Sequence, residues 1–183
     1  MTIIGLAGAA RSGKDTAGAY LVARHGYERR AFADAVRTAA LAIDPYVATR
    51  ASIRRLTDLV AAKGWEAAKE LPDVRRLLQR VGTELGRDLF GADVWVDMAT
   101  RDLHGGERVV FTDVRFANEA AAVRRLGGIV VLLERPGAGL AGQEGAHASE
   151  VIDFDVDATV ANDGDLGVLH DRLDHLLGVP AGR

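Results

Sequence analysis

Cysteine is absent from this 183-residue chain. That removes disulfides, thiolate zinc sites and cysteine nucleophiles together, and leaves a cytosolic compartment as the natural reading. Five histidines are present, none at HxxxH or HExxH spacing. No run approaches the roughly 18 apolar residues of a membrane span. The apolar opening from Met1 to Ala10 has no basic segment before it and is interrupted early by Lys14, unlike a signal sequence. No charge of one sign dominates: the net charge is -3 with both signs interspersed. A surface that coats nucleic acid is therefore not expected, and contacts with phosphate must be local. A Ser/His/Asp triad order, a nucleophile elbow, internal repeats and low-complexity tails are missing as well.

What remains is an ordinary globular composition, 48% apolar and 27% charged, at a length that suits one domain with a sizeable core. Thr2 to Ala7 is an apolar run, followed by a glycine-containing loop and a helical pattern from Lys14 to about Arg24. Tyr27 to Phe32 suits a second strand, and helical composition returns from Ala33 to Ile43, where Asp44-Pro45 stops it. The middle stretch to Ala68 reads as an all-helical insertion. In Asp73 to Arg87 the residues Val74, Leu77, Leu78, Val81 and Leu85 recur at helical spacing and predict a core face. Arg76, Arg80, Thr83 and Arg87 stand opposite, with Gln79, Gly82 and Gly86 on a flank where a group can approach the backbone closely. A short helix over Asp93 to Leu103 carries Trp95. The last third alternates strand and helix: Arg108 to Val114, Asn118 to Leu126, Ile129 to Leu133, then Ala158 to Ala161 and a helix from about Leu166 to Leu177. Apolar runs without alternation are what a parallel sheet covered on both faces requires. The fold class expected is α/β. Pro136 to Glu150, rich in Gly and Ala, reads as a loop.

Gly8-Ala9-Ala10-Arg11-Ser12-Gly13-Lys14 matches the P-loop pattern, and its place after a strand and before a helix is the context that confirms it. Glycines let the backbone curl so that successive N–H groups face phosphate oxygens at the positive end of the next helix. Lys14 then reaches the β- and γ-phosphates. The pattern departs from the usual form at Asp15, where Ser or Thr is customary, and Thr16 follows. A magnesium role is expected for Asp15 or Thr16, the alternative for Asp15 being a first-turn acid that stabilises the helix dipole.

Asp113 ends an apolar run, where a P-loop protein often carries an acid for magnesium. Arg115, Asn118 and Glu119 complete a polar cluster at a strand-to-helix junction, outside the carboxyl end of a strand. The bland reading makes Asn118 a helix cap and Glu119 a first-turn acid. Asp34 suits an acid that orients the acceptor or a magnesium water, or else a helix N-cap, and Arg37 suits an acceptor phosphate. Arg80 and Arg87 are candidates for that phosphate too, against a solvated face. Trp95 is either a base-stacking or a core residue. Arg135 is the better candidate for the transferred phosphate, and His147 is a catalytic base or a loop anchor.

GAARSGKDT from Gly8 to Thr16, LLQRVGTELGR from Leu77 to Arg87, DVW from Asp93 to Trp95, TDVRFANEA from Thr112 to Ala120 and HASE from His147 to Glu150 together resemble the deoxynucleoside monophosphate kinases of phages. The resemblance spans nearly the whole chain, and the DVRFANE and HASE segments are its most specific parts. Asp after the P-loop lysine is what this group tends to carry. The resemblance implies a P-loop NTPase fold in one domain over residues 1–183, with a helical acceptor-binding insertion over about 34–103 and a lid over about 136–150. It implies transfer of the γ-phosphate of ATP, assisted by Mg2+, to a deoxynucleoside monophosphate in the cytoplasm, the host's if the chain is phage-encoded. Homodimerisation is compatible with it. Lys14, Arg115, Arg135 and Asp34 are then the residues of the transfer. Ala10 to Thr16 bind ATP, with Asn162, Asp163 and Gly164 beside the donor adenine. Asp34, Arg37, Arg80, Arg87, Trp95, Asp113, Arg115 and Glu119 hold the acceptor, and Asp15, Thr16 and Asp113 the metal. A dephospho-coenzyme A kinase-like enzyme is the nearest rival, although the GGIGSGKS form of that P-loop is missing. A nucleotide-binding switch is the rival from another class, and no NKxD guanine signature supports it.

Overall fold

A computed structural model describes residues 2–139 and 152–179. By contacts the chain divides into two compact units, Met1–Phe32 with Thr100–Arg183, and Ala33–Ala99.

The first unit is built on the apolar runs. β1 (Ile3–Ala7) is buried along its whole length and is the middle strand of a five-stranded sheet. With β2 (Glu28–Arg30), β5 (Val109–Val114), β6 (Ile129–Glu134) and β7 (Ala158–Ala161), the spatial order is β2-β5-β1-β6-β7. Every adjacent pair is parallel. Side chains alternate across a strand, and β1 uses both faces. Ile4 and Leu6 join Ala17 and Leu21 of α1 (Lys14–His25) and Leu169 and Leu173 of α7 (Leu166–Leu176) in one core. On the opposite face, a β-carbon on Gly5 would lie 3.0 Å from Val123 of α6 (Ala117–Arg125). Burying a Leu or Val this fully contributes about 1.5–3 kcal/mol, so the two-sided covering is what holds the sheet. The α/β class expected from the non-alternating runs is the one observed.

After β1 the chain crosses to β2 on one side, and β6 and β7 lie on the other. Ligands of open α/β sheets bind outside the strand carboxyl ends at such a switch point, and residues 8–13 occupy that position directly after β1. Near the junctions with the second unit, Arg30 forms a two-pronged ion pair with Asp102, at 2.6 and 3.0 Å. This bond raises the guanidinium pKa above its ordinary value and lowers that of the carboxyl.

The second unit has its own core of Ala40, Val47, Leu56, Leu59, Ala68 and Val74. Its elements are α2 (Phe32–Ile43), β3 (Tyr46–Ala48), β4 (Ile53–Arg55), α3 (Leu56–Ala68), α4 (Pro72–Arg80), a π-helix over Val81–Phe90, and α5 (Val94–Thr100). Two expectations are corrected here. The insertion is not all helical, because β3 and β4 pair as an antiparallel hairpin. Thr49 Oγ1 accepts the Ser52 N–H in its turn at 3.0 Å, and Asp44 anchors its base by accepting the Thr57 N–H at 2.9 Å and Arg55 Nε at 2.8 Å. The α-helix expected to run through Arg87 ends at Arg80 and continues with π geometry. Hydrogen bonds to the fifth residue change the angular step, so Leu85 leaves the apolar stripe and is 38% exposed while Val81 is buried. Among the described residues, no helix is long and apolar enough to cross a membrane.

Candidate active site

The loop after β1 takes the curled form its glycines permit. Gly8 has φ 143° and Gly13 φ 103°, and Arg11 adopts φ 65°. A β-carbon on Gly8 would stand 2.6 Å from Leu133 O, and one on Gly13 would stand 2.4 Å from Asn162 Nδ2. Both positions therefore need glycine for conformation and for space. Gly13 is the N-cap of α1 and offers no side-chain bond to its first-turn N–H groups, and the positive end of a helix favours an anion at this position. Lys14 Nζ donates to Gly8 O and Ala9 O, each at 2.8 Å, folded over the loop it serves. Ser12 is 1% exposed, and its Oγ has no partner among the described residues. Asp15 and Thr16 are exposed on the first turn of α1.

Beside this loop lies a cavity of about 580 Å³, lined among others by Ala9, Ser12, Glu134, Arg135, Pro136 and Asp163. The volume falls within the usual range for small-molecule sites. Gly139 N–H donates to Ala10 O at 3.0 Å, so the segment after β6 touches the loop directly. Asn162 closes the arrangement from the end of β7. Its side-chain amide donates to Ser12 O at 2.9 Å, and its own N–H donates to Glu134 O at 2.6 Å. Asp163 is held by Arg172 at 2.6 Å, a bond that lowers its carboxyl pKa below the ordinary value. Gly164 packs against Val168. Sequence reasoning placed Asn162 near a base and missed its bond to the loop, because 150 positions separate the two partners.

At the end of β5, Asp113 is half-buried and its Oδ1 accepts the Phe32 N–H at 2.8 Å. Phe32 stacks on Phe111 with ring centroids 4.6 Å apart, which fixes the strand end that carries the acid. Arg115 is exposed just beyond, as is Arg135 beyond β6. Glu119 is drawn into the start of the helix that follows. It is 3% exposed, and Oε2 accepts the N–H groups of Arg115 at 2.7 Å and Phe116 at 3.2 Å. It caps α6 from the third helical position, the first-turn role that the sequence offered beside an acceptor contact. Asn118 accepts the N–H of Glu119 at 3.0 Å.

Within the second unit, Asp34 accepts from Arg37 at 3.2 Å, and Arg37 also lies 3.7 Å from Glu66 and 5.9 Å from the Trp65 ring centroid. A cavity of about 620 Å³ is lined among others by Tyr46, Asp73, Arg76, Leu77, Arg80 and Glu84. Arg80 is exposed and pairs with Glu84 at 2.9 Å. Arg87 is half-buried and donates to Ala92 O at 3.3 Å. Trp95 is 6% exposed, and its indole N–H donates to Gly82 O at 2.7 Å. That donor is unavailable to a base, so any contact with an acceptor must come from the ring face or edge. The glycine flank of the π-helix receives Trp95: a β-carbon on Gly86 would lie 2.3 Å from its Nε1. Tyr46, Asp73 and Glu84 were missed by sequence reasoning, the first because its strand was not anticipated. His147, Ser149, Glu150 and all but residues 136–139 of the expected lid lie outside the described residues.

Comparison with known proteins adds independent findings. The family model for deoxynucleotide monophosphate kinase matches residues 47–173. A protein of Acanthamoeba polyphaga mimivirus with a provisional name of that kind is 32% identical over 173 residues, covering 82% of this chain and 81% of its own length. The deoxynucleotide monophosphate kinase of Escherichia phage RB69 is 28% identical over 142 residues, covering 75% of this chain, which spans 53% of that protein. Among solved structures, the Mycobacterium tuberculosis APS kinase CysC aligns with TM-score 0.42 and 15% identity, over 97% of this chain and 96% of that one.

Proposed function

The chain belongs to the deoxynucleotide monophosphate kinase family and is a kinase; from that premise we propose that it transfers the γ-phosphoryl group of ATP to a deoxynucleoside monophosphate, yielding two diphosphates. The observation that carries this reading is the loop itself, a curled backbone capped by Lys14 at the open N-terminus of α1, beside a cavity of about 580 Å³.

ATP binds with its phosphates on Ala10 to Thr16. Lys14 exchanges its two carbonyl partners for β- and γ-phosphate oxygens, and the adenosine occupies the cavity toward Asn162, Asp163 and Gly164. Arg115 and Arg135, both exposed at strand ends, supply the charge that in-line transfer requires, since phosphoryl transfer is mostly positioning and charge neutralisation. The donors available to Mg2+ are the carboxylates of Asp15 and Asp113 and the Thr16 hydroxyl, a hard oxygen set. A set of one or two carboxylates completed by phosphate and water is what this ion takes. When bound, Mg2+ neutralises β- and γ-phosphate oxygens.

The unit over residues 33–99 is proposed as the acceptor-binding insertion of a single kinase domain. Arg80 lines its cavity of about 620 Å³ and is the candidate for the acceptor phosphate together with Arg87. Arg37 and Asp34 form a charge pair that orients the acceptor, and Trp95 stiffens the wall. The cytoplasm is the proposed place of work.

A coupled assay with ATP and Mg2+ against the four deoxynucleoside monophosphates, the ribonucleotides and dephospho-coenzyme A tests this reading. Turnover stimulated by one or more deoxynucleotides is expected. ATP binding with no stimulation by any of them would overturn the acceptor assignment.

A further inference from the structure

Asn162 stands where the family resemblance places a loop beside the donor base, yet its side chain points elsewhere. It is 8% exposed, and Nδ2 donates to Ser12 O at 2.9 Å, one peptide before the helix that begins at Lys14. The same amide group fills the space a Gly13 side chain would need, 2.4 Å from the ideal β-carbon. Its backbone is fixed in turn, since the Asn162 N–H donates to Glu134 O at the end of β6. In the order β1-β6-β7, Asn162 therefore reaches from the last strand past the end of β6 to the loop that follows β1.

A trans peptide is planar, with its C=O and N–H pointing in opposite directions. Holding Ser12 O on Asn162 turns the N–H of Gly13 the other way, away from β7. Among the described residues no acceptor meets that N–H. A loop whose affinity for phosphate comes from oriented N–H groups gains most when their orientation is set before the ligand arrives. We propose that Asn162 is a positioning residue for phosphoryl transfer, pinning the Ser12–Gly13 peptide so that the Gly13 N–H is presented to the donor's phosphates, and that it acts on the triphosphate and not on the adenine. The inference rests on the reading of residues 8–16 as the donor-phosphate loop.

The test compares wild-type protein with Asn162→Ala and Asn162→Asp by calorimetric titration with ATP, inorganic tripolyphosphate and adenosine, alongside thermal unfolding. Asp preserves the volume of Asn but cannot donate when ionised, and so separates the hydrogen bond from the packing if the Ala variant fails to fold. A lost hydrogen bond of ordinary strength weakens binding by roughly threefold to tenfold. The expected result is that both variants lose affinity for ATP and tripolyphosphate by a similar factor of that size, with adenosine binding unchanged. Loss of adenosine affinity with tripolyphosphate binding intact would overturn the proposal and return Asn162 to the base. Unchanged binding of all three probes would also overturn it. Wild-type protein that binds neither ATP nor tripolyphosphate would overturn the donor-loop reading and the proposal with it, an outcome distinct from a failure of Asn162 alone.

Discussion

Gly86 and Trp95 are fitted to each other: a β-carbon on Gly86 would stand 2.3 Å from Trp95 Nε1 and 2.4 Å from two ring carbons. Gly82, one turn earlier, meets nothing closer than Val36 at 3.6 Å. Gly86→Ala is therefore expected to destabilise the protein by about 1–3 kcal/mol through overpacking. Gly82→Ala should be neutral or stabilising by up to about 1 kcal/mol through helix propensity. Chemical denaturation of both variants checks the contrast, and equal effects would refute the packing argument.

Lys14 Nζ donates to two loop carbonyls, each at 2.8 Å, and the residue is half-buried and outside the hydrophobic core. Lys14→Ala is expected to lower kcat/KM by about 100-fold or more, the scale of losing one preorganised charge at a transferred group, while the melting temperature stays close to wild type. Retained activity in that variant would remove the P-loop assignment.

Asp113 accepts the Phe32 N–H through one oxygen, an acceptor that asparagine also offers. Asp113→Asn thus removes the charge and can keep the fold. The Mg2+ concentration for half-maximal activity is expected to rise about tenfold, with ATP binding in the absence of metal unchanged. An unaltered magnesium profile would assign Asp113 to the architecture of the strand end alone.

Tyr20 Oη donates to Asp174 Oδ1 at 2.8 Å, and His25 Nε2 meets the same oxygen at 2.8 Å, joining α1 to α7. Burial pushes the Asp174 carboxyl up, but the bonds from Tyr20 and His25 outweigh it and leave its pKa below the ordinary value. A depressed carboxyl contributes stability above its unfolded pKa, about 4, and loses it as pH falls through the folded value. For Tyr20, burial and the bond to Asp174 raise the pKa, so its contribution is full below about 10 and is lost as pH rises past the folded value. Stability measured from pH 2 to 7 should fall less steeply with acid in Asp174→Asn. An identical acid limb would show that the cluster is not coupled to folding.

Arg80 is exposed, and its pairing with Glu84 across one helical turn is worth only tenths of a kcal/mol. Arg80→Ala is expected to raise the acceptor KM about tenfold while leaving the ATP KM and the unfolding midpoint unchanged. A shift confined to the ATP KM would move Arg80 out of the acceptor site.

Much of the first unit was legible because its signals are local. Continuous apolar runs such as Val109–Val114 and Ile129–Glu134 identify buried parallel strands without any knowledge of their partners. The P-loop likewise carries its strand and helix beside it. The hairpin of the second unit was not legible, because strands as short as Tyr46–Ala48 and Ile53–Arg55 are too brief to develop a period and are fixed by Asp44 and Thr49. The π-helix was hidden for a different reason. Val74 to Leu85 fits α spacing by residue type, and nothing in that spacing marks the change of hydrogen-bonding step at Val81. For Glu119 the sequence left a substrate contact and a first-turn acid side by side, and its bonds to the N–H groups of Arg115 and Phe116 depend on a turn geometry that a motif does not carry.

The clasp between Arg30 and Asp102 ties together, within the sheet-bearing unit, the two points at which the chain departs for residues 33–99 and comes back. The segment that leaves and returns through this fastened doorway carries a core of its own. On the proposed division of labour, in which residues 33–99 take the acceptor, base selectivity would evolve by substitutions around that separate core, as an exchangeable cassette beside a constant phosphate-handling loop.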